Sequence, residues 1–227
     1  MNEVPRALHP QLMSFDVFGT LLDVRAGSYA AFQSILDECG AANVDVKLFW
    51  EDWEHRNIAQ YWQPYRGYRA ICRDSLAQSF AHFGLDGDAA LIERYFAAFG
   101  DFPLFADVQR NLESFAKRGR LAVVSNIDDD LLAATKLPQL FDLVCTAERA
   151  RGYKPDGTLF RYLLDKAGVP REAILHSGQS QFTDLVGGKP LGLAIAWVNR
   201  RGVELSPDVP KSDWIVADLD GVAALLG

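Results

Sequence analysis

The sequence is poor in cysteine, has no excess of basic charge and contains no long hydrophobic run. Cys39, Cys72 and Cys145 are far apart and odd in number. That excludes a disulfide framework and a zinc-ligand spacing, and it fits a reducing, cytoplasmic setting. Lys and Arg total 23 against 30 Asp and Glu, a formal net charge of −7. No basic cluster rises above this background, so nucleic acid is not an expected partner. A small anion can still be held by a local positive pocket. The longest apolar stretch, Leu193 to Val198, is far too short to cross a bilayer, so no membrane partner is expected. The first residues include Glu3, Pro5 and Arg6 and no apolar segment, so no signal peptide is expected. There are no repeats or low-complexity tracts.

What is present is a chain that is 49% hydrophobic over 227 residues, ample for one large domain or a domain with an insertion. Leu12 to Leu22 organises it. An apolar run leads into Asp16, and Gly19-Thr20 follows at once. This reads as a buried strand whose C-terminal tip presents Asp16. A carboxylate there can act as a nucleophile, or it can merely cap the following turn.

Residues 23–100 show helical periodicity and no clear strand. Helices are expected over Ser28 to Cys39, Leu48 to Trp62, Tyr65 to Phe83 and Asp88 to Phe99, with Gly40, Gly84 and Gly100 as stops. From Val108 onward helices and short apolar strands alternate. Strands are expected at Leu121 to Val124, Phe141 to Cys145, Ala173 to His176, Leu193 to Val198 and Ile215-Val216. Helices are expected at Val108 to Lys117, Asp128 to Thr135, Asp156 to Ala167, Asp184 to Leu191 and from Leu219. Alternation of this kind means βαβ units and a parallel sheet. The predicted fold is α/β, a Rossmann-like parallel sheet core flanked by helices, with an inserted all-helical cap domain. The core is residues 1–22 and 101–227, and the cap is residues 23–100.

The later strands end in Ser125-Asn126, in Lys154-Pro155 and in Ser177 to Ser180 with Asp184 beyond. Parallel strands put these tips beside Asp16 on one edge of the sheet. Together they supply a nucleophile, hydroxyl and amide donors, one cation and a second carboxylate.

The set resembles the haloacid dehalogenase superfamily of hydrolases, through Asp16-Val17-Phe18-Gly19-Thr20-Leu21, Ser125-Asn126, Lys154-Pro155 and Gly178 to Asp184. Phosphatases of that superfamily carry a general-acid Asp where this chain has Phe18. They carry a metal-binding Asp where it has Gln179. Both departures weaken a Mg²⁺ site, so no metal and no cofactor are expected. An aromatic residue followed by Gly-Thr is similar to the 2-haloacid dehalogenase branch. That branch implies an Asp nucleophile which displaces halide from a short 2-haloalkanoic acid, forms an ester, and releases a 2-hydroxy acid.

The resemblance implies roles. Asp16 would be the nucleophile. Thr20 and Lys154 would orient it and keep it ionised. Ser125 and the backbone N–H groups of Val17 and Phe18 would hold the substrate carboxylate, Tyr68 sits about where the family has a halide-contacting aromatic, and Gln179 would also bind substrate. Asn126 would lie near the departing halide. Asp184 would position Lys154 and the hydrolytic water. The chain departs from the branch where Glu51 replaces a halide-binding Arg, Phe160 a Tyr, and Gln181 an Asn. Arg66, Arg69 and Arg73 share a helical face and are the cap's candidates for an anion site, with a solvated surface the favoured reading; His176 is read as a hydrogen-bonded core or rim residue, and Trp50, Trp53 and Trp62 as packing the cap onto the core. Other readings stay open: cleavage of another bond at a 2-substituted carboxylate, a Mg²⁺-dependent small-molecule phosphatase, or a catalytically weak binding protein. The family is often dimeric, which leaves a homodimer open.

Overall fold

Strand β1 (Leu12–Phe15) is the centre of a six-stranded sheet. Four helices follow it: α1 (Val24–Glu38), α2 (Val46–Gln60), α3 (Tyr68–Phe83) and α4 (Glu93–Ala97). The chain then alternates through α5 (Val108–Phe115), β2 (Arg120–Ser125), α6 (Asp129–Ala133), β3 (Leu143–Thr146), α7 (Ala147–Ala150), α8 (Thr158–Lys166) and β4 (Ile174–Gly178). It closes with α9 (Val186–Gly188), β5 (Ala194–Val198), β6 (Trp214–Val216) and α10 (Leu219–Leu226). The computed structural model describes residues 7–227, so Glu3, Pro5 and Arg6 and the leader expectation drawn from them lie outside the described residues. Among the described residues no helix is long and apolar enough to cross a membrane.

The strand order is β3-β2-β1-β4-β5-β6 and every pairing is parallel. Leu12 faces Arg120 on one side and Ile174 on the other, so the tips of β1, β2 and β4 lie together. Both faces of the sheet are covered, which explains the near-continuous apolar strands. Leu12, Val124 and Ile195 pack against Leu159, Phe160 and Leu163 of α8. Met13, Phe15 and Leu121 pack against Leu112 and Phe115 of α5 and Leu219 and Val222 of α10.

Helices α1–α4 form the cap. Asp23 accepts the Ala26 N–H at 3.2 Å, and Asp45 accepts the N–H groups of Lys47 and Leu48 at 2.8 and 3.2 Å. These side-chain caps start α1 and α2 earlier than apolar spacing alone suggests. Helix α3 starts later than expected, at Tyr68. Its first N–H groups, Tyr68 and Arg69, donate at 3.0 and 3.2 Å to Asp128, a core residue just after β2. The cap helix is thus capped from the core, a contact that local sequence does not reveal.

Two other expectations need correction. Asp88 to Phe99 is not one helix but a 3₁₀ turn, Ala89–Ile92, then α4, then a second 3₁₀ turn, Ala98–Asp101. The tighter turns let Tyr95, Phe99 and Phe102 pack edge-on and tilted, with centroids 4.9–5.9 Å apart. Trp62 does not pack the cap onto the core; it is 54% exposed. Trp50, Trp53, Asn57 and Tyr61 take the inward face of α2, and Trp62 is one residue off that face, past the helix end.

Candidate active site

Asp16 is the first residue after β1, and the turn that follows it depends on Gly19, at φ +86°, a backbone conformation glycine adopts without strain. Thr20 returns its hydroxyl to the strand tip and donates to Asp16 Oδ2 at 2.6 Å. The Gln179 N–H, from the tip of β4, donates to Thr20 Oγ1 at 2.9 Å. The Val17 and Phe18 amides have no backbone or side-chain acceptor among the described residues. Both therefore remain available to an anion at the strand tip.

Lys154 comes from the loop between α7 and α8. Its backbone N–H donates to Asn126 Oδ1 at 2.9 Å, so Asn126, at the tip of β2, anchors the loop. Lys154 Nζ donates to Asp16 Oδ1 and, at 2.9 Å, to Asp184 Oδ1. Lys154 and Asp184 are 1% and 0% exposed and Asp16 is 6% exposed. Asp184 lies in a wide π turn, Gln181–Leu185, where an ordinary helix was expected to begin. The turn lets Ser180 N–H donate to Asp184 Oδ2 at 3.0 Å. Close approach matters here too: a Cβ on Gly187 would lie 1.8 Å from the Lys154 carbonyl oxygen.

Behind Asp184, His176 Nε2 donates to Oδ1 at 3.2 Å, and Ser14 Oγ lies 2.9 Å from His176 Nδ1. An ionised carboxylate only accepts, which assigns the proton to Nε2. His176 is fully buried, with the Phe160 ring edge-on at 4.9 Å. A chain of polar groups therefore runs from Ser14 through His176, Asp184 and Lys154 to Asp16 and Thr20.

The charges follow from this arrangement. Burial pushes the Asp16 carboxyl up; Lys154 pulls it down, Asp184 adds to the rise, and Thr20 opposes it. Burial also pushes Asp184 up, but the Lys154 ammonium and the His176 hydrogen bond outweigh it and hold it at about 2. Burial disfavours the Lys154 ammonium, yet Asp16 and Asp184 raise it above its ordinary value. The two carboxylates share one cation, so a net negative charge is held in a desolvated site.

A cavity of about 120 Å³ opens above Asp16 and Lys154. Phe18, Ser125, Asn126 and Gln179 line its core side and Tyr68 its cap side. Val17 is fully buried and its side chain does not line the cavity. Trp50, Trp53, Glu54, Asn57 and Tyr61 of α2 and its C-terminus also line the cavity, and sequence reasoning missed the last three. Their 3-4 spacing was the available signal. Arg66, Arg69 and Arg73 lie outside the cavity; Arg66 pairs with Asp74 at 2.7 Å and Arg69 with Asp130 at 2.6 Å. Gln181 also turns away, accepting the Ser206 N–H at 2.7 Å.

Another structural contact holds the turn that follows Asp16. Arg200 donates through Nε to the Thr20 carbonyl at 2.8 Å and through its fork to Asp107 at 3.0 and 2.8 Å. Asp107 also accepts the Leu219 N–H at 2.8 Å. Nothing local in sequence joins these residues.

A divalent metal fits this donor set poorly. Mg²⁺ needs several hard oxygens in an octahedron. Here the space between the two carboxylates is taken by Lys154 Nζ, and among the described residues no group of three His, Cys, Asp or Glu side chains is placed to hold a metal ion.

Residues 11–192 match the family model of haloacid dehalogenase-like hydrolases. The chain belongs to that family of hydrolases. It is 27% identical over 199 residues to (S)-2-haloacid dehalogenase 4A of Burkholderia cepacia, covering 83% of this chain and 82% of that one. It is 23% identical over 227 residues to haloacetate dehalogenase H-2 of Moraxella sp. (strain B), covering 95% and 97%. Among solved structures, the L-2-haloacid dehalogenase from Xanthobacter autotrophicus superposes with a TM-score of 0.80 at 20% identity, over 96% of this chain and 98% of that one. The shared architecture is the family's sheet with its helical cap, into which Asp16, Ser125, Asn126, Lys154 and Asp184 converge.

Proposed function

We propose that this family member is a hydrolase of the 2-haloacid dehalogenase type, acting on a short 2-haloalkanoic acid without a divalent metal. The observation that carries the reading is the single ammonium of Lys154 between Asp16 and Asp184, with the Phe18 ring where a phosphatase needs an acid. The full-length similarity to enzymes of that name supports it. The cavity, at about 120 Å³, suits a short acid.

In this reading the substrate carboxylate lies against Ser125 and the Val17 and Phe18 amides, with Tyr68 and Gln179 beside it. An ionised Asp16 oxygen attacks C2 from the side opposite the halogen. The carbon–halogen bond breaks with its electron pair on the halide, near Asn126, and an ester to Asp16 forms. Water positioned by Asp184 then attacks the ester carbonyl. It releases the 2-hydroxy acid with inverted configuration and restores Asp16. Thr20 and Lys154 orient the nucleophile and balance its charge throughout. The division into a core of residues 1–22 and 101–227 and a cap of residues 23–100 belongs to the same reading.

The test is a halide-release screen over short 2-haloacids, with and without EDTA. Halide release that survives EDTA is expected, with p-nitrophenyl phosphate a poor substrate. Mg²⁺-dependent phosphate release without halide release would favour a phosphatase instead.

A further inference from the structure

Hydrolysis of an ester to Asp16 needs a base that faces the cavity, and Asp184 is badly placed to be one. Asp184 is fully buried and does not line the cavity above Asp16. Its Oδ1 accepts from Lys154 and His176, and its Oδ2 accepts the Ser180 N–H at 3.0 Å. Held at about 2, it is also a weak base. Its influence on the water therefore passes through Lys154. Lys154 is itself an ammonium with no site for a further proton. The remaining polar side chains on the core side, Ser125, Asn126, Gln179, Ser180 and Thr183, are hydroxyls and amides, which are too weakly basic to deprotonate water.

The cap supplies what the core lacks. Among the described residues Glu54 of α2 is the one carboxyl besides Asp16 that lines the cavity. Its neighbours on that face are engaged: the Tyr61 hydroxyl donates to Asn57 Oδ1 at 2.6 Å, and Asn57 Nδ2 donates to Cys72 Sγ at 3.4 Å. No ion pair or hydrogen bond engages Glu54 among the described residues. Glu54 also lines a second cavity, of about 460 Å³, which shares Phe18, Trp50, Ile58 and Gln179 with the first. Glu51, His55 and Arg201 line that second cavity and are exposed, so it leads to solvent. Glu54 thus stands where water reaches the site.

The charges around Glu54 suit a base that acts late. Burial pushes its carboxyl up, Arg25 and Arg201 act against this, and Glu51 adds to it. Burial makes its carboxylate a stronger base than that of Asp184, and the two guanidinium groups favour the ionised form. Before the reaction Asp16 and Asp184 share one cation, and the substrate brings a further carboxylate. Forming the ester removes the Asp16 charge, and the halide takes its own charge away. An ionised Glu54 is best tolerated at the stage that needs a base.

We infer that Glu54 takes a proton from the water that hydrolyses the Asp16 ester and passes it to the departing 2-hydroxy acid. The inference rests on the dehalogenase reading. The water oxygen bonds to the Asp16 carbonyl carbon while one water O–H bond breaks and its proton goes to Glu54. The tetrahedral adduct then collapses. The bond from that carbon to the oxygen on C2 breaks, the electron pair stays on this oxygen, and the Glu54 proton joins it. The 2-hydroxy acid leaves, and the second water proton is lost from Asp16 to solvent. Over the cycle, a 2-haloacid anion and water give a 2-hydroxy acid anion, halide and one proton.

The experiment compares wild type, Glu54→Gln and Asp184→Asn with an excess of 2-chloropropionate. Halide is followed from the first turnover, and the peptide containing Asp16 is weighed after an acid quench. Gln keeps the shape of a side chain that has no ion pair to lose, but it cannot accept the proton. The expected result for Glu54→Gln is a burst of halide stoichiometric with enzyme, which also reports that it is folded. Steady turnover should then lie roughly 100-fold or more below wild type, with the substrate-derived mass held on the Asp16 peptide. Asp184→Asn should lose the burst together with turnover, because Asp184 acts through Lys154. A Glu54→Gln that turns over like wild type, one that loses the burst as well, or a trapped ester in Asp184→Asn would overturn the Glu54 assignment and leave the dehalogenase reading standing. A wild type that releases no halide would overturn both.

Discussion

Lys154 and Asp16 form an ion pair in which the two residues are 1% and 6% exposed. The pair is not isolated, because the same ammonium also serves Asp184 at 2.9 Å. Burial and Asp184 both favour a protonated Asp16, and a protonated acid cannot attack carbon. Lys154 is the group that opposes this.

Lys154→Met removes the charge and keeps much of the bulk. The sign is set by the raised carboxyl: wild-type activity should fall as pH drops through a value above the ordinary carboxylate range. Losing the cation moves that limb higher still. At neutral pH the variant should lose most of its turnover. Lys154→Arg should also be poor, because a planar fork does not replace a compact ammonium shared by two carboxylates. A pH–rate profile for Lys154→Met that matches wild type in height and position would contradict the charge argument.

Stability should move in opposite directions at the two ends of the pair. Asp16→Asn removes a buried carboxyl whose charged form the fold disfavours, so it should raise the unfolding midpoint while abolishing turnover. Lys154→Met leaves two buried carboxylates facing each other and should cost about 3 kcal/mol or more. Asp184 acts differently. Its folded pKa of about 2 lies below the unfolded value, so its stabilisation is present above pH 4 and is lost as pH falls toward 2, an effect of about 2 kcal/mol. Denaturant titrations of wild type and Asp184→Asn from pH 4 to 2 should show a loss that is larger in wild type by about 2 kcal/mol.

Some of this was legible before any coordinates. β1, the alternation after Val108 and the polar strand tips follow from apolar runs and their stops, and the family motifs put Asp16, Lys154 and Asp184 in one place. The contacts between distant residues were not legible. Asp128 capping α3 and Arg200 reaching the Thr20 carbonyl join residues 59 or more apart, and no local pattern encodes them. The π turn at Asp184 was hidden because a helical pattern does not distinguish a wide turn from a regular one. The sequence marks His176 as a hydrogen-bonded core or rim residue, and the fold adds that its partner is Asp184 itself. Glu54 does not stand out among the charges of α2 in sequence, although it shares a helical face with Trp50, Trp53 and Tyr61.

The Arg200 clamp should couple stability to catalysis. Burial raises the Asp107 carboxyl, but the Arg200 fork and the Leu219 N–H outweigh it and leave it depressed. Arg200→Met would strand Asp107 and release the Thr20 carbonyl. It should cost about 3 kcal/mol of stability and lower kcat, since Thr20 positions Asp16. Arg200→Lys keeps the charge but loses the fork, so it should fall between the two. Paired measurements of unfolding and of kcat test this; a destabilised Arg200→Met with unchanged kcat would separate the clamp from the nucleophile.

In the proposed reaction the Asp16 carboxylate itself becomes bonded to the substrate. A single turnover in ¹⁸O-water, with enzyme in excess over a 2-haloacid, followed by mass analysis of the peptide containing Asp16, tests it directly. Water attacks the proposed ester at the Asp16 carbonyl, so the first ¹⁸O is expected in Asp16 and the first 2-hydroxy acid released is expected to be unlabelled. Label in the first product, with Asp16 unlabelled, would mean that water attacks the substrate carbon and that no ester to Asp16 forms.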